Sequence, residues 1–571
     1  MKKYQKDMKK KFKKIKKRII SYKKKHPQLC VYGCVFLIGI LFSIWLVKHD
    51  MIIGDDLVFH ISRIGGIKNS ILNGDWKALI HNGLYGYGYA TGLFYGNLLF
   101  YIPAIASILK LDLSNAYKLY VLLCSVGSAL TMFWCIKGIT KSNKAGLLGC
   151  FLYSGCSYKA CDFIIRAAGG EMGAFVFLPL VILGFYYLVY DDYKKWWILS
   201  IGFFGIIQCH IISSVLLFCM IVIMLLINWE RFWKEKERFL YLCISGIAGL
   251  LLTASFIFPM LEGLAKNSLR VDTYNKYNSI KWAIPFEKLF LGFPNYKTDA
   301  YNRIFYPPGI GILLIFLTSL RLKIKPKKED KRIKLNDLCI IMGFGSLMCS
   351  TTLFPWEELE FLNKVQFPWR FYLFASVFLV VSSTIATHYY LEKKKLSEVL
   401  KFIIPVLLIA TLPTILILYY YRNDTYDYYG WKEYFIAAGE YLPQATNVGS
   451  LKERGSIITS NKDNIKFHFK KNGNDIVLTY NHNDYKDENK TYLELPLLYY
   501  YGYAAIDQDG KPLKIEPGSN NIIRVYPDKE KGKIHVYYKG TPTQKISLWI
   551  SILSWMILIG YLYINRKKNL S

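Results

Sequence analysis

Carboxylates are scarce in this chain. Its 571 residues carry 41 Asp and Glu against 73 Lys and Arg, a formal net charge of +32. Cysteine is missing altogether from 421–545. The twelve cysteines are Cys30, Cys34, Cys124, Cys135, Cys150, Cys156, Cys161, Cys209, Cys219, Cys243, Cys339 and Cys349. Nearly all fall in apolar runs and read as small buried hydrophobes, which argues against a disulfide framework and a zinc site. No small-x-small cleavage site follows the first apolar run, so that run is expected to be an uncleaved anchor. No internal repeat of fixed period is visible, charges within the apolar runs are few, and no paired halves stand out.

What is present is apolar. The chain is 53% hydrophobic and 16% aromatic, with a mean hydropathy of +0.20, as expected of a polytopic membrane protein with some soluble mass. Apolar spans are expected at 29–48, 115–136, 144–160, 172–190, 196–209, 211–228, 239–260, 307–321, 336–352, 368–389, 400–420 and 546–565. Residues 1–28 hold fourteen Lys and Arg residues against Asp7 alone. A tail of this kind orients the first span and is drawn to anionic lipid by about 1 kcal/mol per basic residue. It abuts a span and lacks interleaved aromatics, so nucleic acid is not expected as a partner.

Lysine placement decides one ambiguous stretch, 94–109. Basic clusters occur at Lys137 to Lys144, Lys194 and Lys195, Arg231 to Arg238, Arg321 to Lys334, Lys393 to Lys401 and Arg566 to Lys568. If 94–109 does not span, all of them fall on the tail's side; if it spans, all flip outward. The positive-inside rule favours the first option. The expected layout is therefore twelve spans with both termini cytoplasmic, and a juxtamembrane helix at 94–109. Segments 49–114, 161–171, 261–306, 353–367 and 421–545 then lie outside. In the last of these, alternation such as Ile465-Lys466-Phe467-His468-Phe469, broken by Asn472-Gly473 and Asp509-Gly510, predicts a small β-sandwich-like domain. The domain boundaries follow: a basic tail at 1–28, a multi-span domain at 29–420, an extracytoplasmic β-rich domain at 421–545, and a last helix with a basic tail at 546–571.

The outer segments carry the charge. Gly54-Asp55-Asp56-Leu57-Val58-Phe59-His60-Ile61-Ser62-Arg63 follows the first span at once. Charge at a bilayer edge is costly to desolvate, and such clusters are often functional. Asp162, Arg166 and Glu171 lie in the second segment. Glu262, Arg270, Asp272 and Arg303 flank the third, and Gln366-Phe367-Pro368-Trp369-Arg370 ends the fourth. Asp55 or Asp56 can take a proton from an acceptor hydroxyl, while the other raises its neighbour's pKa or holds a divalent metal. Arg166, Arg270, Arg303 and Arg370 have the planar fork suited to a leaving phosphate. His60 shares a helix face with Asp56. Blander readings stand beside these. Gly-Asp-Asp also suits a helix N-cap. Arg63 also suits a pair with Asp56 or a place among headgroups. Arg166 with Glu171 suits a structural ion pair, and His210 a satisfied buried histidine. Tyr85-Gly86-Tyr87-Gly88-Tyr89 reads as a flexible aromatic loop.

These residues resemble a known family. The Gly54–Arg63 motif resembles bacterial 6-pyruvoyl-tetrahydropterin-synthase-related membrane proteins. So do Tyr87-Gly88-Tyr89-Ala90-Thr91-Gly92-Leu93-Phe94-Tyr95, Arg166 to Glu171 with Phe177-Leu178-Pro179-Leu180, and Gln366 to Arg370. The likeness continues weakly into Gly439-Glu440-Tyr441-Leu442-Pro443. The three-histidine zinc site of the soluble pterin enzyme has no counterpart in this chain's histidine spacing. More remotely the layout resembles GT-C glycosyltransferases. These have an acidic motif just after span one, juxtamembrane helices in a long outer loop, many spans and often an outer C-terminal domain. The resemblance implies Asp55 as the catalytic carboxylate with Asp56 second. His60, Arg63, Arg166, Glu171, Glu262, Arg270, Arg303, Gln366 and Arg370 would then hold the substrate. The implied reaction is inverting transfer of a sugar from a polyprenyl-phosphate donor to an envelope glycan or lipid acceptor at the outer face of the cell membrane. No protein metal cluster is expected, although a divalent ion remains an option as cofactor. The alternatives are a transporter or flippase of lipid-linked glycan precursors, and a non-catalytic envelope scaffold.

Overall fold

The computed structural model describes residues 25–47, 51–52, 54–273, 279–290, 295–299, 302–325, 330–421, 425–426, 439–463, 465–482 and 491–568. Most of the expected basic tail, 1–24, lies outside them. The helices that matter for the site are α1 (Pro27–Leu41), α2 (Leu57–Leu72), α3 (Tyr101–Ile108), α4 (Leu113–Thr140), α5 (Asn143–Ser154), α6 (Ser157–Cys161), α7 (Gly169–Tyr190), α8 (Trp197–Cys209), α9 (Ile211–Ile227), α10 (Lys236–Leu252), α11 (Ala254–Lys266), α12 (Ile312–Ser319), α13 (Lys331–Cys349), α14 (Phe371–Leu391), α15 (Leu396–Tyr420) and α16 (Pro542–Lys568).

Local chemistry sets their limits. Asp112 accepts from the Asn115 N–H at 2.9 Å and opens α4; Ser142 accepts from the Ala145 N–H at 3.3 Å and opens α5. Pro179 lies inside α7, and Pro405 and Pro413 inside α15, as apolar surroundings tolerate. Small residues let helices approach: a Cβ on Gly184 of α7 would stand 2.5 Å from the Leu199 nitrogen of α8.

Among the described residues, five helices are long and apolar enough to cross a membrane: Leu113–Thr140, Gly169–Tyr190, Pro368–Leu391, Leu396–Tyr420 and Pro542–Lys567. The pair α10 and α11, bent by 72°, would make a sixth. The count of twelve is not confirmed by this measure. Several of the remaining expected spans are helical but short, with 15 residues in α1, 12 in α5 and 8 in α12, against about 20 needed to cross. Residues 94–109 break into short turns and the 8-residue α3. At about 1.5 Å per residue that helix is too short to cross.

The C-terminal region folds as two facing antiparallel sheets. Its strands are β1 (Ile465–Asn472), β2 (Asp475–His482), β3 (Leu493–Leu498), β4 (Tyr503–Asp507), β5 (Pro512–Leu513), β6 (Ile515–Pro517), β7 (Ile522–Val525) and β8 (Lys531–Tyr538). One sheet has the order β5-β4-β8-β2-β1; the other has β6-β7-β3 plus Thr459–Ser460. Ile476, Leu478, Ile534 and Val536 of the first and Leu493, Leu495, Ile523 and Val525 of the second share a buried core. The alternation seen in the sequence is this inward and outward pointing. Gly473 and Gly510 take the left-handed φ values of +58° and +79° that their turns need.

This domain grips the loop that follows α2. The buried Lys471 ammonium donates to the Gly86 carbonyl at 2.5 Å and the Pro496 carbonyl at 2.7 Å. Asn474 Nδ2 donates to the Ile80 carbonyl at 2.6 Å, and the Leu498 N–H to the Tyr87 carbonyl at 2.8 Å. Tyr87 is fully buried, and its hydroxyl donates to the Gly455 carbonyl at 2.5 Å. The Tyr-Gly-Tyr-Gly-Tyr stretch is thus a clasped loop rather than a flexible one. Its glycines serve the fold, since Gly86 and Gly88 stand at φ near +87° and +88°. Burial lowers the Lys471 pKa to about 8. Lys471→Met with Asn474→Ala removes three donated bonds, about 1–3 kcal/mol each. Amide hydrogen exchange across 78–97 is expected to quicken at least tenfold while exchange in α4 and α7 stays unchanged.

Candidate functional site

Two backbone hydrogen bonds place the carboxylates. The Asp55 N–H donates to the Ile165 carbonyl at 3.2 Å, and the Asp56 N–H to the Arg166 carbonyl at 2.9 Å. Gly54 allows this closeness, because a Cβ there would lie 2.4 Å from the Ala167 Cβ. The start of α2 is therefore fastened to the turn Asp162–Arg166, a π-type turn that ends with Ala167 at φ +51°. Asp56 stands at the N-terminus of α2, but its side chain makes no cap hydrogen bond. The N-cap reading of Gly-Asp-Asp thus fails for the Asp56 side chain.

The turn carries a dense polar cluster. Arg166 Nη1 donates to Asp162 Oδ1 at 2.5 Å, to the Tyr158 hydroxyl at 2.9 Å and to Glu171 Oε1 at 3.1 Å. The Tyr158 hydroxyl donates to Glu171 Oε2 at 2.7 Å. Arg370 Nε lies 3.5 Å from Glu171 Oε1. Its Nη1 donates to the Val365 carbonyl at 2.6 Å and to Gln366 Oε1 at 2.9 Å. Glu171 thus bridges Arg166 and Arg370, which joins the second and fourth outer segments. The structural ion pair between Arg166 and Glu171 is real, and it is one edge of a larger network. Burial and the neighbouring Glu171 charge push the Asp162 carboxyl well up.

The two aspartates face this network differently. Asp55 is exposed and Asp56 half-buried by surface, yet crowded protein desolvates both and raises their pKa values. Asp56 rises to about 6: burial and the charges of Asp55 and Glu171 outweigh Arg166 and Arg370.

Several expected site residues lie elsewhere. His60 is buried, its ring stacked on Phe100 at 5.3 Å and pressed against Gly169. Burial and Arg63 hold its pKa well below the usual value, so it is a neutral packing group. Arg63 is 1% exposed, its guanidinium 4.3 Å from the Tyr95 ring centroid and 4.1 Å from that of Phe100. It donates to the Gly96 carbonyl at 2.7 Å and to Asn97 Oδ1 at 3.2 Å. It therefore fastens the 95–97 segment beneath the site and neither pairs with Asp56 nor reaches headgroups. Glu262 accepts from the Thr541 hydroxyl at 2.5 Å and the Thr543 hydroxyl at 2.7 Å, tying α11 to α16. Arg270 donates to the Thr446 carbonyl, and its N–H to the Leu442 carbonyl at 2.9 Å, a link between 268–272 and 439–446. Gln366, at φ +67°, supports Arg370. Arg303 lies in a strand whose side chains are outside the described residues.

Other residues join the site without having been expected there. A Cβ on Gly170 would meet the Tyr95 hydroxyl at 2.0 Å and His210 Cδ2 at 2.9 Å, so Tyr95 and His210 lie against the start of α7. The His210 side chain caps α9, accepting from the Ser213 N–H at 3.3 Å, the satisfied histidine the sequence suggests. Tyr441 stacks on Phe94 at 5.2 Å, and its N–H donates to the Tyr89 hydroxyl at 3.2 Å. Its neighbour Glu440 feels the Arg370 charge. The weak resemblance at 439–443 was the one signal for this pair. Among the described residues no cluster of three or more His, Cys, Asp or Glu is placed to hold a metal ion.

The family model described as bacterial membrane protein YfhO matches residues 83–439, more than half of the chain. The chain belongs to the YfhO family. The match takes in Arg166, Glu171 and Arg370; Asp55, Asp56 and the β-sheet domain fall outside it. The pterin-related description is not the one this match carries. A Lactococcus lactis protein described as uncharacterized is 22% identical to this YfhO-family chain over a 622-residue alignment, covering 94% of this chain and 96% of its own. Among solved structures, mycobacterial arabinofuranosyltransferase AftD is similar over 68% of this chain and 27% of its own, with 12% identity and a TM-score of 0.39. The oligosaccharyltransferase of Archaeoglobus fulgidus is similar over 70% of this chain and 56% of its own, with 14% identity and a TM-score of 0.40.

Removing Arg166 leaves Asp162 and Glu171 facing each other in a buried place. Arg166→Met is expected to cost about 3–5 kcal/mol. Arg166→Met with Glu171→Gln should recover a good part of that, as read by thermal unfolding in detergent.

Proposed function

We propose that this protein is a GT-C-type inverting glycosyltransferase. It would move a sugar from a polyprenyl-phosphate carrier to an envelope glycan or lipid at the outer face of the cell membrane, with twelve spans and both termini cytoplasmic. The observation that carries this reading is the fastening of the Asp55-Asp56 turn onto the Arg166 turn. It brings two carboxylates within reach of the Arg166 and Arg370 charges.

An apolar cleft supports a lipid-linked donor. It has a volume of about 190 Å³ and is lined by Leu152, Cys156, Ser157, Leu313, Ala410 and Pro413, among others. Ser157 opens α6 and immediately precedes Tyr158, which donates to Glu171. One turn of helix therefore separates a tail-binding surface from the charged cluster.

In the proposed reaction an acceptor hydroxyl oxygen attacks the anomeric carbon as the bond from that carbon to the phosphate oxygen breaks. The hydroxyl proton passes to a carboxylate, and the carrier phosphate leaves with its charge held by Arg166 and Arg370. Phosphate needs no acid, so one base suffices. Asp56 suits that role, since a base with a pKa near the working pH contributes most, typically 10²–10⁴-fold. The exposed Asp55 would then hold the acceptor hydroxyl or a divalent ion. This reading takes the opposite order of the two aspartates from the one implied by the resemblance. Glu171 would orient both arginines.

A second reading, transport of lipid-linked glycan precursors, draws on Lys159. It is 2% exposed within the helical region, and its ammonium donates to the Ser128 hydroxyl at 2.7 Å. Buried ionisable groups at membrane depth mark transport pathways as well as sites.

Transfer by the purified protein from a synthetic polyprenyl-phosphate sugar separates the two readings. Asp56→Asn is expected to lower the rate by about 10²-fold or more, and Asp55→Asn by less. Full activity in both variants would overturn the assignment. With the wild type, the base must be ionised. The rate should therefore be half-maximal near pH 6 and fall roughly tenfold per unit below it, a limb absent from Asp56→Asn.

A further inference from the structure

Arg63 is buried with its charge unmatched. The ionisable groups that act on it most are Tyr95, Tyr120, Tyr441 and Cys209, all of types that are neutral near pH 7. Among the described residues it therefore has no carboxylate partner, unlike Arg166 and Arg370, which share Glu171. Its hydrogen bonds run to neutral acceptors: the Gly96 carbonyl, Asn97 Oδ1 and, at 3.4 Å, His60 Nδ1. Its Nε–H is buried and has no acceptor among the described residues. A buried charge without a counter-charge is strongly destabilising.

A small cavity lies beside it. Its volume is about 20 Å³, and Ser62, Arg63, Asn69, His81, Asn82 and Thr91 supply its polar lining. One water needs about 10–15 Å³ of such space, so the cavity takes a single species of that size class. No acid lines it. The hydroxyls of Ser62 and Thr91 and the amide of Asn69 are donors by type. Asn82 Oδ1 is buried without a partner, and half a turn of that amide presents its N–H groups instead. Burial and Arg63 hold His81 at a pKa of about 3, so it stays neutral. A second cation stands near. A Cβ on Gly86 would lie 3.4 Å from Lys471 Nζ and 4.0 Å from Asn82 Oδ1, and Lys471 donates to carbonyls.

We propose that this cavity binds one chloride ion, which neutralises Arg63 and ties α2 to the 81–91 loop. Water in its place would fill the space and leave the charge unmatched. A phosphate group or a carboxylate on a larger molecule would need room that the cavity lacks. Ser62, Asn69 and Asn82 are half-buried, so the lining reaches toward the surface from which an ion would enter. The ion would act on structure: it would hold the guanidinium that in turn holds Gly96 and Asn97. The proposal is independent of catalysis at Asp56.

The test is thermal unfolding of the full chain in nanodiscs, with sodium chloride exchanged for sodium gluconate at constant ionic strength. Gluconate is too large for the cavity. The wild type should unfold about 2–4 °C higher in saturating chloride, the shift should saturate with concentration, and bromide should reproduce it. Asn82→Asp supplies a fixed carboxylate beside Arg63. It should unfold at least as high as the wild type in gluconate and lose the chloride shift. Bromide diffused into wild-type crystals should give an anomalous peak beside the Arg63 guanidinium. Asp56→Asn should keep the whole chloride shift, so a failed transferase reading leaves this result intact. Equal unfolding of the wild type in chloride and gluconate, a full chloride shift in Asn82→Asp, or no bromide peak beside Arg63 would overturn the proposal.

Discussion

The rest of the molecule's chemistry depends on a contact made by backbone alone. Asp55 and Asp56 give their N–H groups to the carbonyls of Ile165 and Arg166, so both side chains are left free of local duties. A carboxylate that caps a helix is held by that work and keeps a low pKa. Here the cap hydrogen bond is missing, and desolvation governs Asp56 instead. The same contact brings the Arg166 guanidinium alongside, with Glu171 linking it to Arg370. Four segments distant in sequence are joined by this chain of contacts and by the Tyr89–Tyr441 link.

Around that contact stands a rigid shell. Arg63 is enclosed by the Tyr95 and Phe100 rings and bound to the carbonyl of Gly96. Its Nη2 bonds to the Gly96 carbonyl and Asn97 Oδ1 hold the segment that carries Tyr95. The β-sheet domain supports the same segment from the far side through Lys471, Asn474 and Leu498. It is therefore part of the architecture of the first outer loop and not a detached module.

Much of this was legible in the residues. The apolar runs became helices, and lysine placement alone marked 94–109 as non-spanning, where the chain forms only short turns and α3. Alternation with Asn-Gly and Asp-Gly turns announced the sheet domain. Asp55, Asp56, Arg166, Glu171 and Arg370 stood out as charge at apolar edges; Glu171 meets both arginines, and the aspartates reach the Arg166 turn through their backbone. Other parts were illegible for physical reasons. Whether Arg63 faces the site or the aromatic rings depends on packing partners 32 or more residues away, which no local pattern encodes. Glu262 looks like any outer carboxylate until Thr541 and Thr543 close on it from the far end of the chain. Helix lengths also stayed hidden, because hydropathy reports an apolar run and not where its backbone turns. Lys159 sits in an apolar run, where a single cation is easily passed over.

The clasp has a consequence for biosynthesis. Lys471 follows the Gly86 carbonyl that it holds by 385 positions. At about 5–20 residues per second the ribosome needs roughly 20–80 s to make that interval. Throughout it, the tyrosine-rich loop stands without its sheet partner while later helices are inserted. The loop at 80–87 thus gains these partners late, and a chain halted before the sheet domain would lack the bonds from Lys471, Asn474 and Leu498.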